Sequence, residues 1–176
     1  MKRVLVTGGA GYIGSVLVRL LLENKYQVRV FDNLMFGGNS LIDLFNNDNF
    51  DFYKGDIRNE VDLMNALAGI DYVVHLAAIV GDPACAKQPE LAKSTNYEGS
   101  KLIYNVANRL NIKRFIFSST CSNYGKMEDP NSMVDENSTL SPVSLYAETK
   151  VQTEKFLLSQ PKTNSCKPVV LRFSTV

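Results

Sequence analysis

The chain has 176 residues, 45% of them hydrophobic and 21% charged, with a formal net charge of +1. This length suits one domain that buries roughly 70% of its unfolded surface, and a balanced charge without a basic block argues against nucleic acid or an anionic membrane as partner. A lone histidine and three scattered cysteines (Cys85, Cys121, Cys166) fit neither a metal centre nor a disulfide framework, no apolar run approaches the ~20 residues of a membrane span, and a reduced, cytoplasmic setting without a signal peptide is expected.

Lys2-Arg3-Val4-Leu5-Val6-Thr7 reads as a buried parallel strand, broken by Thr7-Gly8-Gly9-Ala10-Gly11-Tyr12-Ile13-Gly14. Ile13, Val16, Leu17, Leu20 and Leu21 recur at helical spacing, so a helix opens inside the glycine run. A second strand, Gln27–Phe31, ends in Asp32, eighteen residues after Gly14. Residues 33–40 form a loop with two turn glycines, and Leu41, Ile42, Leu44 and Phe45 predict a short helix after it. Phe50–Lys54 is a third strand, followed by a helix through Val61, Leu63, Met64 and Leu67. Asp71–Ala78 is a fourth strand running into small residues, and residues 79–90, with Pro83 and Pro89, read as irregular. A long helix is predicted from about Glu90 to Leu110, a fifth strand over Lys113–Ser118, and a polar loop over 121–141. Ser141-Pro142 starts a further helix reaching about Ser159, with Pro in its first turn, and Pro168–Phe173 makes a sixth strand.

Strand–helix alternation throughout calls for an α/β fold, a doubly wound parallel sheet of Rossmann type with helices on both faces. The expected strand order is 3-2-1-4-5-6, with a ligand at the switch point beside the first strand. The carboxyl ends that carry Gly8, Asp32, Ala77 and Ser119 then point to one crevice. Each part of the first unit has a use there: glycines let the backbone approach a pyrophosphate, the helix N-terminus offers N–H groups and a positive dipole end, and Asp32 accepts from ribose hydroxyls while repelling a 2′-phosphate. With no Lys or Arg in residues 33–40, NAD is expected rather than NADP.

The catalytic signal is Tyr146-Ala147-Glu148-Thr149-Lys150, whose ends, four residues apart, share one helix face. Val143, Ala147 and Val151 form a separate apolar stripe expected to dock on the sheet. A tyrosine near pKa ~10 is a poor base at neutral pH, and a nearby ammonium and an oxidised nicotinamide both favour its phenolate. Such pairs also decorate many solvated helices; a dinucleotide unit and a hydroxyl-rich strand end, Ser118-Ser119-Thr120, give this one its context. Asn96, inside the long helix, either binds a backbone carbonyl or faces solvent. His75 is expected to pack or cap, and Cys121 to be a small buried filler.

The chain resembles the NAD-dependent epimerase/dehydratase branch of the extended short-chain dehydrogenase/reductases. The resemblance is carried by the Thr7–Gly14 turn, Asp32-Asn33, Gly55-Asp56-Ile57-Arg58, His75-Leu76-Ala77-Ala78, Asn96, Ser118-Ser119-Thr120 and Tyr146–Lys150. It implies that Tyr146 is the general base, that Lys150 lowers its pKa and holds the nicotinamide ribose, and that Thr120 bonds the substrate hydroxyl. It further implies a cofactor-contacting set: Gly8, Gly11, Tyr12, Ile13 and Gly14 at the pyrophosphate, Asp32 with Asn33 at the ribose, Asp56 and Ile57 at adenine, Ala77 and Ala78 toward the nicotinamide, together with Asn96 and Ser118. Dehydratase members place an Asp-Glu pair where this chain has Cys121-Ser122, which speaks against 4,6-dehydration. The family continues into a smaller, sugar-nucleotide-binding lobe, so residues 1–176 are expected to be its NAD-binding part and a truncated form of a longer chain, with that lobe beyond Val176. The implied activity is epimerisation of a nucleotide sugar through a transient keto sugar on tightly held NAD, and a homodimer is plausible by analogy. Two other readings stay open: a reductase or dehydrogenase with exchangeable cofactor, and a non-catalytic dinucleotide-binding module.

Overall fold

The computed structural model describes residues 1–126 and 133–174. Six strands, β1 (Arg3–Thr7), β2 (Gln27–Asp32), β3 (Phe50–Lys54), β4 (Tyr72–His75), β5 (Arg114–Thr120) and β6 (Lys167–Phe173), form one sheet in the order β3-β2-β1-β4-β5-β6. All five pairings are parallel. This is the expected doubly wound sheet.

β1 and the strands beside it carry apolar residues on both faces because both are covered. Val4 and Val6 of β1, with Val28 and Val30 of β2, pack on Val18 and Leu22 of helix α1 (Tyr12–Glu23) and on Leu41 and Leu44 of a 3-10 turn, Asn39–Leu44. Leu5, Phe31, Val73, Phe115 and Phe117 face the other way. There they meet Leu63 and Leu67 of α2 (Glu60–Leu67), Ile103 and Tyr104 of α5 (Ser100–Arg109) and Leu157 of α6 (Leu145–Leu158). The one-residue alternation along β1 to β4 thus supplies two cores from one run of sequence. Thr7 is in register with Phe31 on one side and His75 on the other, which sets the turn after β1 level with Asp32 and the end of β4.

Three elements differ from the sequence expectation. Residues 82–87 are helical (α3, Asp82–Lys87), with Pro83 in the first turn, where its missing N–H costs nothing. The long helix begins at Pro89 as α4 (Pro89–Lys93) and runs into α5 through a π-helical turn, Ser94–Gly99. Pro142 and Val143 lie outside α6, whose N-cap is Ser144 with its hydroxyl accepting from the Ala147 N–H. Val143 is consequently 74% exposed and takes no part in the stripe, while Ala147 and Val151 are buried. The polar loop contains a 3-10 turn, Cys121–Tyr124; residues 127–132 of it and residues 175–176 lie outside the described part.

Candidate active site

The carboxyl ends of β1, β2, β4 and β5 border one cleft of about 700 Å3. Its floor is the turn from β1 into α1. Gly8 has φ +69°, and a Cβ there would sit 2.7 Å from the Ala77 nitrogen; at Gly14 a Cβ would sit 2.3 Å from the Gly8 carbonyl oxygen. Both positions press backbone against backbone where no side chain fits. Gly11 caps α1 without a side-chain hydrogen bond, and no acidic residue occupies the first turn. The N-terminal N–H groups and positive dipole end therefore suit an anionic group such as a pyrophosphate, with Tyr12 and Ile13 on the cleft wall.

Asp32 ends β2 with each carboxylate oxygen holding one backbone N–H, Ala10 at 3.0 Å and Leu34 at 2.8 Å. Each oxygen keeps a further lone pair for a hydroxyl donor. Asn33 closes the next turn by accepting from the Met35 N–H at 2.9 Å. Asp56 and Ile57 form the adjoining wall. The Arg58 guanidinium, 2.6 Å from the Asp56 carboxylate, holds that carboxyl below its ordinary value. Ala77 and Ala78 continue the wall beyond β4.

At the far end stand Ser118, Thr120, Tyr146 and Lys150. Lys150 is 3% exposed. Its Nζ donates to the Ser118 carbonyl at 2.8 Å and lies 4.7 Å from the Phe117 ring centroid and 5.7 Å from that of Tyr146. Burial pulls the ammonium down to about 8, against support from Cys85 and Glu154. Thr120 accepts from the Ser122 N–H at 3.2 Å and lies 3.2 Å from the Ser122 hydroxyl. Tyr146 packs against the small cluster of Ile79, Cys85 and Ala92. In the chain alone burial raises the Tyr146 phenol, and Cys85, Asp82 and Cys121 add to the rise; the expected lowering draws on an oxidised nicotinamide as well as the ammonium. The main cause of the rise is desolvation of the phenol by the elements packed around it.

Asn96 is the one expected cofactor residue that the cleft wall does not include; its neighbour Thr95 is there instead. Asn96 is buried in the π turn and brackets the Ile79 backbone, Oδ1 accepting from Ile79 N–H at 2.7 Å and Nδ2 donating to Ile79 O at 2.9 Å. Its carbonyl accepts from the Ser100 and Thr153 hydroxyls at 2.6 and 3.2 Å. It holds the segment beyond β4 in place. His75 is buried between Thr7 Oγ1 (2.6 Å from Nδ1) and Ser100 Oγ (2.9 Å from Nε2). Ser100 donates onward to Asn96, so Nε2 carries the proton and Thr7 donates to Nδ1. Thr7 Oγ1 in turn accepts from the Leu76 and Ala77 N–H groups at 3.2 Å each. Burial, with Lys150 nearby, pushes His75 down to about 3. Cys121 is half-buried rather than a buried filler, whereas Cys85 and Cys166 are buried.

Sequence reasoning missed Glu154 and Arg172, which stand behind the Tyr146/Lys150 end of the cleft, and Asp82, on its wall. The spacing Tyr146, Lys150, Glu154, four residues apart twice over, was the available signal for the first. Arg172 and Asp82 had none without the fold.

Fold and cleft together define a Rossmann-type dinucleotide-binding domain with a Tyr/Lys pair at one end of its crevice. The NAD dependent epimerase/dehydratase family matches residues 4–176. A UDP-glucose 4-epimerase of Lactobacillus helveticus is 34% identical over 99% of this chain and 52% of its own length, and a dTDP-glucose 4,6-dehydratase of Streptomyces niveus is 33% identical over 97% and 52%. Among solved structures, a UDP-glucuronic acid 4-epimerase from Bacillus cereus in complex with UDP-glucuronic acid and NAD superposes with a TM-score of 0.88 at 31% identity, over 97% of this chain and 55% of that one. The chain belongs to the NAD-dependent epimerase/dehydratase family. It spans about half the length of the curated relatives it matches. Among the described residues no group of three His, Cys, Asp or Glu could hold a metal, and no helix is long and apolar enough to cross a membrane.

Proposed function

We propose that the whole protein is an NAD-dependent nucleotide-sugar epimerase, with residues 1–176 as its cofactor-binding and catalytic half and a sugar-binding lobe in the remainder. The observation that carries this reading is that one cleft joins the Gly8–Gly14 cradle and Asp32 to Tyr146, Lys150 and Thr120. NAD, when bound, supplies an acceptor that takes hydrogen with its electron pair from the sugar carbon and returns it, and a positive ring that favours the phenolate. Asp32 and the first turn of α1 hold the adenosine ribose and the pyrophosphate. Tyr146 takes the proton from the sugar hydroxyl at its phenolic oxygen, and Thr120 steadies that hydroxyl. Lys150, held by the Ser118 carbonyl, brings positive charge to the phenol and a donor to the nicotinamide ribose. When the keto sugar has turned its other face, Tyr146 returns the proton to the sugar oxygen and is restored as the base; hydride returned to the carbon leaves no net cofactor consumed. The Cys121-Ser122 pair brings no acid/base carboxylate beside Thr120, which favours epimerisation over elimination of water.

The test is addition of UDP-glucose to the full-length protein without added NAD. Turnover is expected, and Tyr146→Phe should lower it by about a hundredfold or more with NAD still bound. A requirement for stoichiometric added cofactor would mark a dehydrogenase instead. Unchanged turnover in Tyr146→Phe would remove the proposed base.

A further inference from the structure

Behind the catalytic end lies a buried charge cluster that the reaction does not touch. Glu154, 1% exposed, stands one turn beyond Lys150 on α6. Its carboxylate accepts from the Ser119 hydroxyl, from Asn123 Nδ2 at 2.7 Å, and from Arg172 of β6 through Nε at 3.1 Å and Nη2 at 2.8 Å. Three separate pieces of chain, the end of β5, the turn after it and the end of β6, are thereby tied to the helix that carries Tyr146 and Lys150.

We propose that Glu154 is the positioning residue of this site, clamping the strand end whose neighbours Ser118 and Thr120 hold Lys150 and the substrate hydroxyl to the helix that bears the base. Ser119, the residue it grips, lies between those two, so a shift of Ser119 moves both at once. Asn123 fixes the turn whose Ser122 N–H donates to Thr120. Arg172 reaches past Glu154 to the Tyr124 hydroxyl at 3.0 Å and so carries the constraint into the polar loop. A second consequence is electrostatic: on one helix face, four residues from Lys150, the carboxylate supports the buried ammonium. The other groups around that ammonium are Cys85 from α3, His75 from β4 and Tyr146 on α6 itself. His75 is uncharged at neutral pH, and in the chain alone burial raises both the thiol and the phenol. That leaves Glu154 as the negative partner among these groups.

This inference takes the roles of Tyr146, Lys150 and Thr120 from the proposed function. Its test separates the two. In the full-length protein, Glu154→Gln removes the charge, Glu154→Asp keeps it on a shorter arm, and the double variant E154L/R172L removes the clamp without leaving an unpaired buried charge, an exchange that is often neutral for folding. In the double variant Ser119 and Asn123 keep their own 3.0 Å hydrogen bond. With UDP-glucose as probe, Glu154→Gln and the double variant should lose about ten- to a hundredfold in kcat with KM little changed, and Glu154→Asp should recover part of it. An NMR titration of the Lys150 side chain should give a midpoint below the wild-type value of about 8 in Glu154→Gln. Wild-type kcat in a folded double variant, or an unmoved Lys150 midpoint in Glu154→Gln, overturns the inference. If the wild type does not turn over UDP-glucose, the sugar reading falls, and NMR of the Ser118–Thr120 backbone amides in the folded double variant decides the clamp: shifted amides support it, and unmoved amides overturn it.

Discussion

Replacing Lys150 by methionine should remove the chemistry and at the same time raise the stability of the fold. The ammonium is enclosed, with one backbone carbonyl as hydrogen-bond partner, and burial lowers it from 10.5 to about 8. At about 1.4 kcal/mol per pH unit, holding it charged costs the folded state about 3 kcal/mol at neutral pH. Methionine follows the same path with no charge, but leaves the Ser118 carbonyl without its donor, a loss of about 1–2 kcal/mol. The net expectation at pH 7 is a gain of about 1–2 kcal/mol. Its pH dependence identifies the cause. Between the folded value of about 8 and the unfolded 10.5 the folded state binds fewer protons, so the wild type gains stability as pH rises through that window. The advantage of Lys150→Met should therefore shrink and vanish near pH ~9.5. Urea unfolding of both proteins at a series of pH values measures this. A variant less stable at pH 7, or a difference flat with pH, would refute the reasoning.

Two further outcomes follow from the buried polar groups. Asn96→Ala should leave the Ile79 N–H without its acceptor, while Ile79 O keeps the Cys85 thiol at 3.4 Å; a stability loss of about 2–4 kcal/mol is expected in denaturant unfolding, and a change under half of one kcal/mol would show that the bracket is idle. His75, neutral at about 3 in the fold against 6.5 outside it, binds fewer protons folded than unfolded across that window. Stability should thus fall as pH drops below 6.5 by up to about 1.4 kcal/mol per unit, and His75→Gln should flatten this slope by one proton's worth; an unaltered acid slope would place the sensitivity elsewhere.

Much of this molecule was legible before folding because its signals are local. The apolar run Val4, Leu5 and Val6, the glycine run and the acid at position 32 each depend on neighbours within a strand or turn, and together they marked the first unit and the place of the cleft. The four-residue spacing of Tyr146 and Lys150 likewise put them on one face. Signals that depend on competition between neighbours did not carry through. Ser141-Pro142 was read as a helix start, but the cap lies three residues on, where the Ser144 hydroxyl accepts from the Ala147 N–H.

What tertiary structure decided is which polar groups meet. Asn96 bonds the Ile79 backbone seventeen residues earlier, through a π turn that no spacing announces. Glu154 meets Arg172 only because β6 lies beside β5 and α6 lies over both. The direction of the Tyr146 shift also belongs to the fold: proximity to Lys150 is written in the sequence, whereas desolvation depends on every element that closes around the ring. Periodicity fixes faces and order at short range; burial and long-range pairing, which set charge and reactivity, exist only once the chain has packed.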